Sequence, residues 1–347
     1  MQIENNIFSR CTVVILCYER HEFLKRAISY WSKINVKILV IHNSKKKLSL
    51  EFPENTTYKN YNKTYLKRIK IASKLINTEY CLLAADDDFY LYTEILNSIY
   101  FLDENLEYKS YFGQVLSFYY KNKKKFYTQN YKNIKSNNIN NTNIYNRLNR
   151  FSKNYLPSSI YSVTRTSDWI SNWKNVFNST MSMAGEHEIL YEMYAIISGK
   201  RKIHNRVCLI RSNEEESVKS GDKSIEGISL AYNWKNNFLD KNILVKKIQQ
   251  NAEVKLESKY IFLFFDNITN IKRKDNYFRN LKRNIREKIS KIEILYNLFS
   301  YYNISKGNKF TNLHKSKLFF NKNNILINFK DLKIINEIID TFNKPWH

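Results

Sequence analysis

Short apolar, β-branched runs alternate with amphipathic helical stretches over the first hundred residues, and nothing else in the chain limits its fold as strongly. Cys11-Thr-Val-Val-Ile-Leu-Cys17 is a continuous apolar run of strand length with no polar face. A strand covered on one side alternates apolar with polar residues, so an unbroken run indicates a parallel strand covered on both. Glu22 to Lys33 then places Leu24, Ala27, Ile28 and Trp31 at helical spacing. Val36 to Ile41 reads as a second buried strand, and Leu66, Ile69, Ala72, Ser73 and Ile76 mark a second helix. Tyr80 to Ala85 is a third strand, followed by a helix through Leu102. A βαβαβα series implies right-handed crossovers and a parallel sheet. The expected class is α/β, a Rossmann-like, mostly parallel sheet flanked by helices.

Farther along the signals thin. Residues 111–119 predict another strand, and the Lys, Asn and Tyr of 121–143, with little periodicity, predict a long mobile loop. A strand is expected at Ser158 to Thr164 and a helix after Ser167. Gly185-Glu186-His187-Glu188 opens a helix whose face runs through Leu190, Tyr194 and Ile197, and Val207 to Ile210 is the last strand expected. Beyond about Glu214 the chain turns basic and helix-prone. Lys272 to Lys291 sets Phe278, Leu281, Ile285 and Ile289 on one helical face, for packing against the protein or for an anionic membrane surface. The implied division is a folded unit over 1–215 and a basic helical region over 216–347 on the acceptor or membrane side.

Several classes are excluded or weakened. The first residues lack the pattern of a signal peptide, and no run is long enough to cross a bilayer. The four cysteines are too scattered for a zinc site, and Cys11, Cys17 and Cys81 fall in predicted buried strands, as reduced core thiols would. A cytoplasmic location, with peripheral attachment to the inner membrane as an option, is the matching expectation. The net charge of +25 invites a polyanion partner. A chain heavy in Lys, Asn, Ile and Tyr and poor in Gly and Pro is also what an AT-rich genome produces, so no specific nucleic acid is expected.

In parallel α/β sheets ligands bind beyond the carboxyl ends of the strands. Tyr18 to His21, His42 to Ser44 and Asp86 to Asp88 all follow strands and should meet on one rim. Three adjacent carboxylates repel one another, and a divalent cation with hard oxygen ligands relieves that repulsion. Helix capping is the other use of such aspartates. The chain has no G-x-G-x-x-G, no G-x-x-x-x-G-K-[ST] and no G-x-S-x-G, which removes dinucleotide-binding, P-loop and α/β-hydrolase chemistry.

Three segments resemble one family. Thr12-Val-Val-Ile-Leu-Cys-Tyr-Glu-Arg20 followed by Phe23-Leu-Lys-Arg-Ala27 is similar to the T-V-V-I-P-T-Y-N-R opening of family 2 glycosyltransferases of the GT-A fold and the F-L-x-x-A-L helix after it. Ile38-Leu-Val-Ile-His-Asn-Ser44 resembles their second strand, which ends in D-D-G-S, and Glu79 to Asp88 resembles their G-E-Y-I-x-x-L-D-x-D-D segment. The Ala-Asp-Asp-Asp-Phe form is similar to a bacterial branch that builds surface polysaccharides. The resemblance spans roughly residues 10–215 and is clear to about 90. Leu16 stands where the family has Pro, Glu19 where it has Asn, and Asn43 where it has an Asp that contacts the nucleotide.

The resemblance implies metal-dependent, inverting transfer of a sugar from a nucleotide-sugar donor, a UDP-sugar by default, to a glycan or lipid-linked acceptor. It implies Mg²⁺ or Mn²⁺ on Asp88 with Asp86 or Asp87, and Cys17, Tyr18, Arg20, Asn43 and Arg68, with Lys67 as an alternative, around the nucleotide. Glu186 matches the family's base, ahead of Glu188 and then His187; complementing the helix dipole is their plainer role. Arg211 and His204 either reach the diphosphate or metal or are structural. A sugar-nucleotide nucleotidyltransferase is the alternative enzyme, although the glycine-rich loop that opens such enzymes is missing from Cys17 to His21. A basic nucleic-acid binder without catalysis is the alternative outside enzymology.

Overall fold

The computed structural model describes residues 2–45, 48, 50–121, 123–179, 184–214, 234, 240–252, 254–270, 301–311 and 316–342. The elements are α1 (Gln2–Phe8), β1 (Cys11–Tyr18), α2 (His21–Trp31), β2 (Lys37–Asn43), β3 (Thr56–Asn60), α3 (Tyr65–Leu75), β4 (Tyr80–Ala84), β5 (Phe89–Tyr90) and α4 (Tyr92–Glu104). There follow β6 (Tyr108–Lys121), β7 (Lys124–Asn130), α5 (Ile144–Lys153), β8 (Thr164–Arg165), α6 (Thr166–Phe177), α7 (Ala184–Ser198), β9 (Lys200–Ser212) and β10 (Lys309–Phe310). Helices Lys241–Asn251 and 258–270 precede β10, and Ser316–Asn323 and Phe329–Phe342 follow it.

The first sheet has the order β3-β2-β1-β4-β8, with parallel pairing throughout except at β8. Its unbroken apolar strands have a direct explanation. Val13, Ile15 and Cys17 of β1 enter one core with Leu24, Ala27 and Trp31 of α2, while Val14 enters another with Ile69 and Ala72 of α3 and Trp169 and Trp173 of α6. Both faces of β1 are buried, so its run is apolar apart from Thr12, whose hydroxyl bonds that of Thr78 at 2.6 Å. The edge strand β3, Thr-Thr-Tyr-Lys-Asn, is largely exposed and gave no such signal.

The second sheet has the order β10-β7-β6-β9-β5. Strands β6 and β7 form an antiparallel hairpin, and β6 lies parallel to β9 with register shifts around Gly113. A Cβ at Gly113 would lie 2.3 Å from the Arg206 carbonyl oxygen, so only glycine lets the two strands approach here.

Two expectations are corrected. Residues 121–143 are not a loop: β6 runs to Lys121, β7 occupies Lys124–Asn130, and a 3₁₀ turn covers Ile134–Asn137. Phe126 and Tyr127 are buried there, and Tyr127 stacks on Phe310 at 4.8 Å. Its ladder partner along the whole strand is β6, and β10, far away in sequence, covers the other edge at Tyr127 and Thr128. Ser158 to Thr164 is mostly irregular, and only Thr164–Arg165 pairs as a strand. The buried Glu192 carboxylate takes the Ser158 and Ile160 amides instead, at 2.8 and 3.0 Å.

The far end of the chain is part of the same core. Leu332, Ile335 and Ile339 of helix Phe329–Phe342 belong to the cluster that holds α2 and β1. Asp331 accepts a hydrogen bond from the Thr93 amide in the first turn of α4 at 2.8 Å, capping that helix from outside it. Lys272 to Lys291 lies outside the described residues. Among the described residues no helix is long and apolar enough to cross a membrane. All four cysteines are buried free thiols.

Candidate functional site

Asp86, Asp87 and Asp88 occupy the link from β4 in the first sheet to β5 in the second, so the carboxylates lie at the seam between the two sheets. All three are buried. Arg20, just past β1, reaches Asp86 Oδ1 with Nη1 at 3.2 Å and Asp87 Oδ2 with Nη2 at 2.6 Å. From the other sheet Arg211 on β9 donates through Nε to Asp88 Oδ2 at 3.2 Å, and the Ser212 amide donates to Asp88 Oδ1 at 3.2 Å. Three carboxylates thus face two guanidinium groups. Burial pushes the Asp86 carboxyl up to about 7 and that of Asp88 up to about 6, against the downward pull of Arg20 and Arg211. The cluster is short of positive charge.

The strand exits converge as the β/α pattern requires. After Tyr18 the chain turns through Glu19, a non-glycine residue with φ of +51°. The turn is held because the Glu19 carboxylate accepts from Ser44 Oγ at 2.7 Å and from the Lys45 amide at 2.8 Å, tying the ends of β1 and β2 together. Asn43 is buried; its backbone carbonyl accepts from the Glu19 amide and its Nδ2 donates to the Lys63 carbonyl, both at 3.1 Å. Arg68 on α3 is buried and donates to the Cys17 carbonyl at 3.0 Å, bracing the end of β1. Burial pushes the Cys17 thiol well up, so that side chain is not a nucleophile. His42 is pushed down to about 4 by burial and sits 3.0 Å from the Tyr58 hydroxyl.

Tyr18, Arg20, Tyr65, Arg68, Asp86 and Tyr161 line a cavity of about 180 Å³ at this rim. Three of the six are tyrosines. Tyr161 also carries the Arg211 guanidinium 4.8 Å from its ring centre, and Arg211 donates to the Tyr131 hydroxyl at 2.6 Å.

The opening of α7 approaches the site through Glu188. Its Oε1 accepts from the Tyr155 hydroxyl at 3.1 Å, and its charge bears on Tyr131 and Tyr161, which also contact Arg211. Glu186 and His187 are buried in the same turn. His204 does not reach the site. It stacks on Tyr111 at 4.4 Å, and its Nε2 lies 3.3 Å from Glu94 Oε2, on β9 away from the aspartates. Arg211 does reach it, through Asp88.

The tyrosines at 65, 131, 155 and 161 and the amide of Ser212 escaped the sequence reading. In a chain with 26 tyrosines no single one stands out, and a backbone amide leaves no trace in sequence.

The donor set can be tested against a divalent cation. Among the described residues no three acid, thiol or imidazole side chains converge on one ion position. Both oxygens of Asp88 are engaged by Arg211 and Ser212. Asp86 lines the cavity, and its Oδ2, in contrast, is buried with no hydrogen-bond partner. Mg²⁺ and its like are commonly held by one or two carboxylates with phosphate and water completing the shell. A hard oxygen left unsatisfied beside two further carboxylates fits that mode.

No protein-family model matches the chain, and neither does any curated protein. Among solved structures it is similar to S. aureus TarS 1-349, at 10% identity and a TM-score of 0.46, over 77% of this chain and 91% of that one. It is also similar to the same protein in complex with UDP-GlcNAc, at 12% identity and a TM-score of 0.48, over 75% and 71% of the two chains. A third is 4-diphosphocytidyl-2C-methyl-D-erythritol synthase from Anaerococcus prevotii, at 12% identity and a TM-score of 0.35, over 66% and 97%.

Proposed function

We propose that the protein is a glycosyltransferase of the GT-A type that moves a sugar from a nucleotide-sugar donor, by default a UDP-sugar, to a glycan or lipid-linked acceptor in cell-surface polysaccharide synthesis. The observation that carries this reading is the meeting, at one cavity, of strand ends that resemble family 2 glycosyltransferases: Tyr18 and Arg20 after β1, and Asp86 after β4. The tyrosine faces suit a nucleoside, and the guanidinium group of Arg20 suits a diphosphate.

In the proposed reaction an acceptor hydroxyl attacks the anomeric carbon from the face opposite the diphosphate. The carbon–oxygen bond to the diphosphate breaks, and the configuration inverts. Negative charge grows on the leaving phosphate oxygens, where Arg20 is placed to stabilise it. Asp86, supported by Asp87 and Asp88, would hold Mg²⁺ or Mn²⁺, which supplies further charge stabilisation when bound. The base that takes the acceptor's proton is Glu188, whose Oε1 is already steadied by Tyr155. Glu186 and His187 of the same turn are the other candidates. Action at the inner face of the membrane, through the basic stretch Lys272 to Lys291, belongs to the same proposal.

Equilibrium binding of UDP, GDP, CMP and dTDP, each with and without Mn²⁺, to wild type and Asp86→Asn tests the reading. One nucleotide should bind wild type, more tightly with Mn²⁺, and the metal effect should vanish in the variant. Binding of none of the four overturns the proposal. For the membrane part, co-sedimentation with anionic vesicles at low salt is expected, and its absence removes that part alone.

A further inference from the structure

We infer that Arg20 makes cation binding at Asp86 conditional on the nucleotide, by holding the carboxylates that the cation needs until a diphosphate arrives. This rests on the nucleotide-sugar reading above. One guanidinium spans two of the three aspartates, at 3.2 Å to Asp86 and 2.6 Å to Asp87. It lies over the Phe23 ring at 4.4 Å, and the three side chains are at most 11% exposed, so little water screens the pair. A divalent ion approaching Asp86 Oδ2, the oxygen with no hydrogen bond, meets one carboxylate oxygen and the neighbouring positive charge of Arg20. Asp87 and Asp88 add to the attraction, and Arg20, held between Asp86 and Asp87, subtracts from it.

A bound diphosphate changes both terms. It brings phosphate oxygens that complete the cation's shell, and it offers the Arg20 fork a second bidentate partner. Arg211 is not placed to act this way. It is fixed by the Tyr131 hydroxyl and by Tyr161, and its partner Asp88 has both oxygens engaged. Arg20 instead follows β1 on the turn at Glu19 and faces the cavity directly.

The test is Mn²⁺ binding to the full chain, read from the electron paramagnetic resonance of the free ion. Wild type, Arg20→Gln, Arg20→Lys and Asp86→Asn are each titrated without nucleotide, and wild type also with UDP. Wild type alone should bind weakly, and UDP should tighten it by about tenfold or more, as expected when a neighbouring charge is compensated. Arg20→Gln should bind Mn²⁺ without nucleotide about tenfold more tightly than wild type. Arg20→Lys, which keeps the charge but loses the two-pronged contact, should fall between them, and its melting curve reports whether the fold is kept if the Gln variant does not fold. Asp86→Asn should lose binding in every case. If UDP tightens wild type but neither Arg20 variant binds more tightly without it, this inference is wrong and the nucleotide reading stands. If UDP fails to tighten wild type, the underlying reading falls with it.

Discussion

The two sheets are built in opposite ways. The first takes four of its five strands and two of its covering helices from a contiguous stretch, Cys11 to Ala84. The second draws on β5, the β6–β7 hairpin, β9 beyond α7, and β10 near the far end of the chain. The candidate site needs both. The first sheet brings Arg20 and Asp86 to Asp88, and the second returns Arg211 and the Ser212 amide to Asp88. Local sequence therefore presents the acids, while long-range assembly decides which of their oxygens remain open.

Four measurements test this contrast, the first three in falling order of expected stability loss. Glu192 on α7 and Arg201 on β9 form a fully buried ion pair at 2.7 Å, and Glu192 also holds the Ser158 and Ile160 amides. Glu192→Ala should lower stability by about 3–5 kcal/mol in urea unfolding, because it strands a buried guanidinium. Loss of much less would mean the second sheet does not depend on this long-range tie.

Ile335 and Ile41 are both fully buried, one in the helix near the chain's end and one in β2. Truncation of either to Ala should cost about 2–5 kcal/mol. A much smaller effect at Ile335 would show the C-terminal helix to be an appendage and would undo the comparison. Asp331→Ala, which removes the cap on Thr93, should cost about 1 kcal/mol, with Asp331→Asn recovering part of it. The same urea titrations read both outcomes.

The last measurement reads a slope with pH, at the contact between α4 and β9. Burial raises Glu94 from 4.5 to about 7 and lowers His204 from 6.5 to about 3. Between pH 4.5 and 7 the folded state holds a proton on Glu94 that the unfolded chain releases, so this group makes stability fall as pH rises. Between pH 3 and 6.5 the unfolded chain protonates His204 and the folded state does not, so this group makes stability rise with pH. The two slopes oppose each other where they overlap. Glu94→Gln removes the falling one, so stability of the variant should climb more steeply than wild type from pH 4.5 to 6.5. Parallel curves would contradict the assignment.

Three strands of the first sheet, β2, β1 and β4, were legible from the chain alone. They are buried on both faces and carry unbroken apolar runs, Val13 to Cys17, Ile38 to Ile41 and Cys81 to Ala84, while α2 and α3 carry their contacts at helical spacing. The sequence also determined the aspartates and the rim on which they lie, because a β/α repeat sends its strand ends one way. Tertiary structure alone decided the rest. The outer edge of the strand at 124–130 is covered by β10, the irregular path at 158–163 exists because Glu192 takes its amides, and the oxygen without a hydrogen bond falls to Asp86 because Arg211 and Ser212 come back to Asp88. Each of these depends on a partner distant in the chain, and periodicity, which compares only neighbours, does not register such partners.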